Sequence, residues 1–301
     1  MVEVTGRGAA AGGAAARSGA RRAVPGGARR AVLDAARRAA RKVTGDGWDA
    51  AEYTGVAGTR VHAAVLGPAG APEVVCVPGL GCSHRYFRPL ARWLAPAVRV
   101  VAVDLPGFGR TPGPREPLDV RGLSLVLGGW LRATGRGGAP LVANSAGCQV
   151  VVDLAAHSPD LVGPAVLTGP TVDRHARSPL RQLGRLLADV PREHPALALV
   201  QARDYLAAGP RRLAGTFRHL LADPVERKLP HLRAPTAVVR GGRDPIAPRP
   251  WVREVAALLP DGRFAEVPGA GHALNYSAPA ELGGIVLALL AERAAGRRGG
   301  A

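Results

Sequence analysis

Leu141-Val142-Ala143-Asn144-Ser145-Ala146-Gly147-Cys148 is the stretch that decides how this chain reads. Residues with strand character end in a serine, and a helical pattern begins directly behind it. A serine placed there projects from a sharp strand-to-helix turn. Such a turn holds its central residue in a strained backbone conformation and brings other backbone very close. The residues two before and two after the serine must therefore be small. Gly147 fills the second of these positions. Ala143 fills the first, so an extra methyl group has to be housed there.

Strand and helix patterns alternate on both sides of this turn. Residues 53–56 and 59–66 read as a hairpin around Gly58. Residues 73–77, 98–103, 140–144 and 164–168 read as strands. The stretches 85–94, 118–134 and 146–157 between them have a helical period. Residues 172–228 break the alternation, with helical patterns and five prolines between Pro179 and Pro224 but no strand. Strands then resume at 236–240 and 263–267, with helices at 249–259 and 278–293. Alternation of this kind predicts an α/β fold: a mostly parallel, eight-stranded sheet with helices on both faces. Residues 172–228 read as a helical cap inserted after strand 6. The folded domain is expected over 46–295, with a short tail at 296–301.

Composition narrows the setting. The 301 residues are 47% hydrophobic, enough for a sizeable core. No run of about 18 apolar residues is present, and the N-terminus lacks the apolar segment of a secretory signal. Cys76, Cys82 and Cys148 are odd in number and have no metal-type spacing. Reduced thiols in a cytoplasmic protein, with no metal and no cofactor, are the expectation. The formal charge is +17, yet only Lys42 and Lys228 among the 40 basic residues are lysines. Biased codon usage accounts for such an arginine excess. No zinc-finger or aromatic RNA-binding motif accompanies it, so no specific nucleic-acid partner is expected. Residues 1–45 hold ten of the basic residues and two acids, Glu3 and Asp34. They read as a disordered, solvated extension. The alternative is an amphipathic helix over 28–43 that touches anionic surfaces weakly. No pattern sets the oligomeric state.

Three further pieces give Ser145 its meaning. Gly241-Gly242-Arg243-Asp244-Pro245 follows a strand and offers a carboxylate, Asp244. Pro268-Gly269-Ala270-Gly271-His272 follows the last strand and puts His272 on a glycine-rich loop. A serine hydroxyl is a poor nucleophile until a base takes its proton. His272 can be that base and later the acid for the leaving group. Asp244 can fix the imidazole tautomer and stabilise the imidazolium. Val77-Pro78-Gly79-Leu80-Gly81 follows the third strand, where a glycine-rich loop can aim a backbone N–H at an oxyanion. The amides of Leu80 and Ala146 are the expected donors. Asp173, after the sixth strand, is the rival acid. His84 and His157 read as packing or surface residues. His175, His194, His219 and His231 fall in or just after the cap and read as solvated.

These motifs, with Asp104-Leu105-Pro106-Gly107-Phe108-Gly109-Arg110-Thr111, resemble the α/β-hydrolase superfamily in its capped serine hydrolase branch. The resemblance covers roughly residues 50–295. It carries the chain order Ser145, Asp244, His272 and departs at Ala143. It implies hydrolysis of a small, largely apolar ester or related acyl substrate through an acyl-enzyme at Ser145. A carbon–carbon bond hydrolase of the ring-fission-product type ranks second, because Ala273 and Leu274 follow His272 where that group commonly has tryptophan. A non-catalytic ligand binder on the same fold is the third reading.

Overall fold

The computed structural model describes residues 3–5 and 47–299. One sheet contains β1 (Glu3–Thr5), β2 (Ala50–Val56), β3 (Thr59–Leu66), β4 (Glu73–Val77), β5 (Arg99–Val103), β6 (Leu141–Asn144), β7 (Ala165–Thr168), β8 (Thr236–Gly241) and β9 (Gly262–Val267). Their spatial order is β1-β9-β8-β7-β6-β4-β5-β3-β2. The run from β5 to β9 is parallel, and β1, β2 and β3 pair antiparallel at the two edges. The eight expected strands are β2 to β9. The ninth, β1, pairs Glu3 with Glu266 and Thr5 with Phe264. Three residues carry no readable periodicity, so the open edge of β9 selects them. The rest of the basic segment 1–45, including the amphipathic pattern at 28–43, lies outside the described residues.

Local chemistry sets the boundaries. The β2–β3 hairpin turns through Ala57 and Gly58, with φ of 47° and 77°. Consecutive positive φ values match the right-handed twist of the strands. Asp119 caps the helix Val120–Ala133 by accepting the Gly122 N–H at 2.7 Å. The final helix, Pro279–Gly299, runs past the expected end at Arg293.

Alternating side chains divide the core between the two faces of the sheet. Val75, Val77, Val101 and Val103 pack under Leu127, Trp130, Val151 and Trp251. Val74, Cys76, Val100 and Ala102 face the other way, against Phe87, Leu90, Leu94 and Leu282. All three cysteines are free and buried. Burial pushes each thiol far above its ordinary range, which removes Cys82 as a nucleophile.

Between β7 and β8 lie the helices Pro179–Asp189, Pro195–Ala208, Pro210–Ala222 and Val225–Lys228. Proline opens each of the first three. It suits the first helical turn, where its missing N–H has no partner to lose. The insertion is anchored to the loop after β4: the Ser83 hydroxyl and N–H both donate to Asp204, at 2.6 and 2.9 Å. The helix Pro179–Asp189 is inside out. Its buried residues are Gln182 and Asp189, while Leu180 is 80% and Leu187 64% exposed. Among the described residues no helix is long and apolar enough to cross a membrane.

Candidate active site

The carboxyl ends of β4, β6, β8 and β9 bring the singled-out residues together. Ser145 follows β6 and precedes the helix Ala146–His157, with φ 55° and ψ −121°. That conformation costs a non-glycine residue about 1–3 kcal/mol and is held by its surroundings. The Ser145 N–H donates to the Thr168 carbonyl at 2.9 Å, and the Ser145 carbonyl accepts the Cys148 N–H at 3.0 Å. A side chain at Gly147 would run into the carbonyl oxygens of Val77 and Pro78. Ala143 is fully buried in the core, where its methyl packs as an ordinary apolar group. Gly147→Ala is expected to lower stability by about 3 kcal/mol in a denaturant titration. Gly184→Ala, whose Cβ meets nothing within 4 Å, is the control and should be neutral or slightly stabilising.

His272 Nδ1–H donates to Asp244 Oδ2 at 2.8 Å, and both residues are buried. Asp244 Oδ1 accepts the N–H groups of Ile246 and Ala247, at 2.8 and 3.0 Å, so the carboxylate is fixed before it meets the ring. Gly169 passes beside the pair. A Cβ there would lie 2.7 Å from His272 Nδ1. Asn144 joins the loops: its amide donates to Thr168 Oγ1 at 3.1 Å and to the His272 carbonyl at 3.3 Å. His272 Nε2 is buried and has no hydrogen-bond partner. Such a nitrogen can take a proton from a serine hydroxyl once substrate tightens the geometry.

The loop after β4 runs alongside. A Cβ on Gly79 would lie 3.1 Å from the Ser145 Cβ, so this backbone passes directly by the serine. Leu80 packs against the small apolar cluster of Val120, Ala146, Val172 and Leu220. Ala146 opens its helix, where an N–H has no intrahelical acceptor and lies at the positive end of the helix dipole.

The other acids and histidines stand elsewhere. Asp173 accepts the His175 N–H and pairs with Arg185 at 2.9 Å. His157 meets Ser124 and Asp153, and His175 meets Glu254. His84 and His62 both donate Nδ1–H to Asp104, at 3.0 and 2.8 Å. These three have metal-ligating side chains. Asp104 also accepts the backbone N–H of His84 at 2.6 Å and of Arg110 at 2.9 Å. Four donors satisfy its two oxygens, so it works as a brace between the strands and the Asp104–Thr111 turn. A cavity of about 370 Å³ opens between that turn and Ala207, Ala208 and Arg212, away from Ser145.

Two site residues escaped the sequence reading: Asp189 and Glu193, both in the insertion. Glu193 Oε1 accepts the Ala273 N–H at 2.7 Å, while its Oε2 is buried without a partner. Asp189 Oδ1 is likewise buried and unpartnered. Burial opposes charge on His272, but Asp244, with help from Asp189 and Glu193, outweighs it and raises the imidazole to about 9. Burial, reinforced by Glu193 and Asp244, raises the Asp189 carboxyl against the pull of His272. Residues 172–228 hold six acids, and no local pattern separates Asp189 and Glu193 from the other four.

Comparison with known proteins places this geometry. Residues 74–283 match the model of the alpha/beta hydrolase family. The polyketide synthase ThaQ of Burkholderia thailandensis is 30% identical over 259 residues, which cover 73% of this chain; the chain spans only 12% of that protein. The putative carbamate hydrolase RutD of Yersinia enterocolitica is 26% identical, across 73% of this chain and 87% of RutD. The enol-lactonase of Burkholderia xenovorans LB400 superposes with a TM-score of 0.67 at 23% identity, covering 80% of this chain and all of that one.

Proposed function

The chain belongs to the alpha/beta hydrolase family, and on that premise we propose that it is a serine hydrolase cleaving a carboxylic ester or related acyl compound through Ser145, His272 and Asp244. One observation carries the reading: a buried Asp244–His272 pair with a free Nε2, joined through Asn144 to a serine at positive φ. The Ser145 hydroxyl attacks the acyl carbon while its proton passes to His272 Nε2. The resulting oxyanion takes hydrogen bonds from the N–H groups of Leu80 and Ala146. As the tetrahedral centre collapses, the bond to the leaving group breaks and His272 returns the proton to it. Water then attacks the acyl-enzyme with His272 as base, releasing the acid and restoring Ser145.

The acyl group would lie along Leu80, Val120, Val172 and Leu220, and those side chains favour an apolar acyl chain. RutD and the enol-lactonase are named for substrates with a heteroatom on the reacting carbonyl carbon, in keeping with this chemistry. Intact-mass analysis after a fluorophosphonate probe tests the reading. One adduct is expected on the wild type and none on Ser145→Ala. Equal labelling of both proteins, or of neither, would remove Ser145 as the nucleophile.

A further inference from the structure

The inside-out helix Pro179–Asp189 breaks the usual rule for burial. Its leucines could face inward, yet they point to solvent, and a carboxylate that is 7% exposed is turned in. Burying a carboxylate is costly unless something pairs with it. Sites where a fold violates local preference are commonly functional. Glu193, on the turn after the same helix, brings a second carboxylate to the same loop. The Ala273 N–H fixes one of its oxygens and leaves the other unpartnered. Gly271 makes room for it, since a Cβ there would overlap Glu193 Oε1. On the neighbouring His272, Nε2 is the third buried polar atom without a partner.

Cations are abundant in this protein, with 40 lysines and arginines. Among the described residues none pairs with Asp189 or Glu193. Arg185, on the same helix as Asp189, is committed to Asp173, and Arg192 turns back to the Ala188 carbonyl. The protein thus keeps its lysines and arginines off the buried Asp189 and off the half-buried Glu193, whose Oε2 is itself buried. His272 protonates the leaving group, so groups beside it face the leaving-group half of the substrate. The apolar cluster around Leu80 faces the other half.

We propose that Asp189 and Glu193 form a recess for a protonated amine on the leaving group, making esters of amino alcohols the preferred substrate class. The recess rests on the reading of Ser145 and His272 given above. A bound tertiary ammonium would donate its one N–H to Asp189 Oδ1 or Glu193 Oε2 and set its charge against the other oxygen, and a primary one could donate to both. It would also offset the negative charge that holds the His272 proton. His272 is faced by Asp244 from the loop after β8 and by Asp189 and Glu193 from the insertion. In the free enzyme kcat/KM should therefore rise with pH above the ordinary imidazole range. With an ammonium in the recess, the kcat limb should lie lower.

The test uses two substrate pairs: 2-(dimethylamino)ethyl butanoate against 3-methylbutyl butanoate, and 3-(dimethylamino)propyl butanoate against 4-methylpentyl butanoate. Members of a pair differ by a charged N–H in place of C–H. At neutral pH the wild type should favour at least one amine over its isostere by about tenfold or more in kcat/KM. In the double variant Asp189→Asn, Glu193→Gln, which keeps an acceptor oxygen at each site, the ratio should fall to within about twofold of unity. The two single variants read the same ratio if the double variant folds poorly. A wild-type ratio at or below one for both pairs overturns the recess, and so does a ratio the substitutions leave unchanged. Fluorophosphonate labelling and hydrolysis of the neutral isosteres report separately on Ser145. Their loss means that the serine hydrolase reading has failed, and the recess with it.

Discussion

Ser145→Ala is expected to lower kcat for p-nitrophenyl butanoate by about 10³-fold or more, with circular dichroism unchanged. His272→Ala should lose a similar factor. The double variant should lose little beyond either single one, because the two residues act on one proton. Asp244→Asn should also be severely impaired. An amide there donates where His272 Nδ1–H needs an acceptor, and the ring turns to the wrong tautomer. Asp173→Asn is the contrasting variant. Its carboxylate is engaged with Arg185 and the His175 N–H, so kcat should stay within about threefold of wild type. Equal losses at Asp173 and Asp244 would reject the assignment of the acid. Stopped-flow detection of a p-nitrophenolate burst, with an amplitude near one per enzyme, would report the acyl-enzyme directly.

Asp104→Ala is expected to be the most destabilising single change, at about 3–5 kcal/mol in a denaturant titration. Removing that carboxylate leaves His62, His84 and the N–H groups of His84 and Arg110 without their acceptor inside the protein. Burial alone would raise the Asp104 carboxyl. The hydrogen bonds from His62 and His84 reverse that and hold it well below the usual carboxylate range. A depressed native value contributes stability that is present above the unfolded value of 3.8 and is lost only as pH falls toward the lowered one. Asp104 should therefore remain a working brace at pH 5. Asp104→Asn keeps one acceptor oxygen and should lose less than the alanine variant. A change below about 1 kcal/mol for Asp104→Ala would mean that the turn repacks without its brace.

Local patterns made most of the architecture legible. The Val-rich strand β4 reads as buried on both faces, and its residues 74–77 are buried. The helix Val120–Ala133 announced itself through Leu123, Leu127 and Leu131, and, capped by Asp119, it opens two residues later than the expected start at 118. Ser145, Asp244 and His272 each follow a strand. A parallel sheet delivers the ends of its strands to one edge. Strand order along the chain was thus enough to predict that these residues meet. Motif context already favoured Asp244 over Asp173, although both follow neighbouring strands. The ring contact of Asp244 and the Arg185 pairing of Asp173 are tertiary facts.

The helical insertion between β7 and β8 was legible only as an interruption. Its helices carry leucines on faces that a periodicity reading would turn inward, and the structure turns several of them outward. Glu193 reaches the Ala273 N–H, next to His272, across 80 residues of sequence. No local signal encodes such a meeting. The edge strand β1 is similar: three residues become a strand because β9 has free backbone groups to pair.

From the sequence alone came the sheet, the serine on its turn, the order of its partners and the need for small residues around it. Each rests on periodicity or on the steric demand of one turn, and both are local properties. Only the tertiary structure decided that Ala143 fits its position, that Asp244 rather than Asp173 holds the histidine, and that two acids of the insertion between β7 and β8 come close to its loop. Those outcomes depend on which surfaces meet when distant segments pack. Burial then makes each meeting matter, because it strips water from every charge in the site.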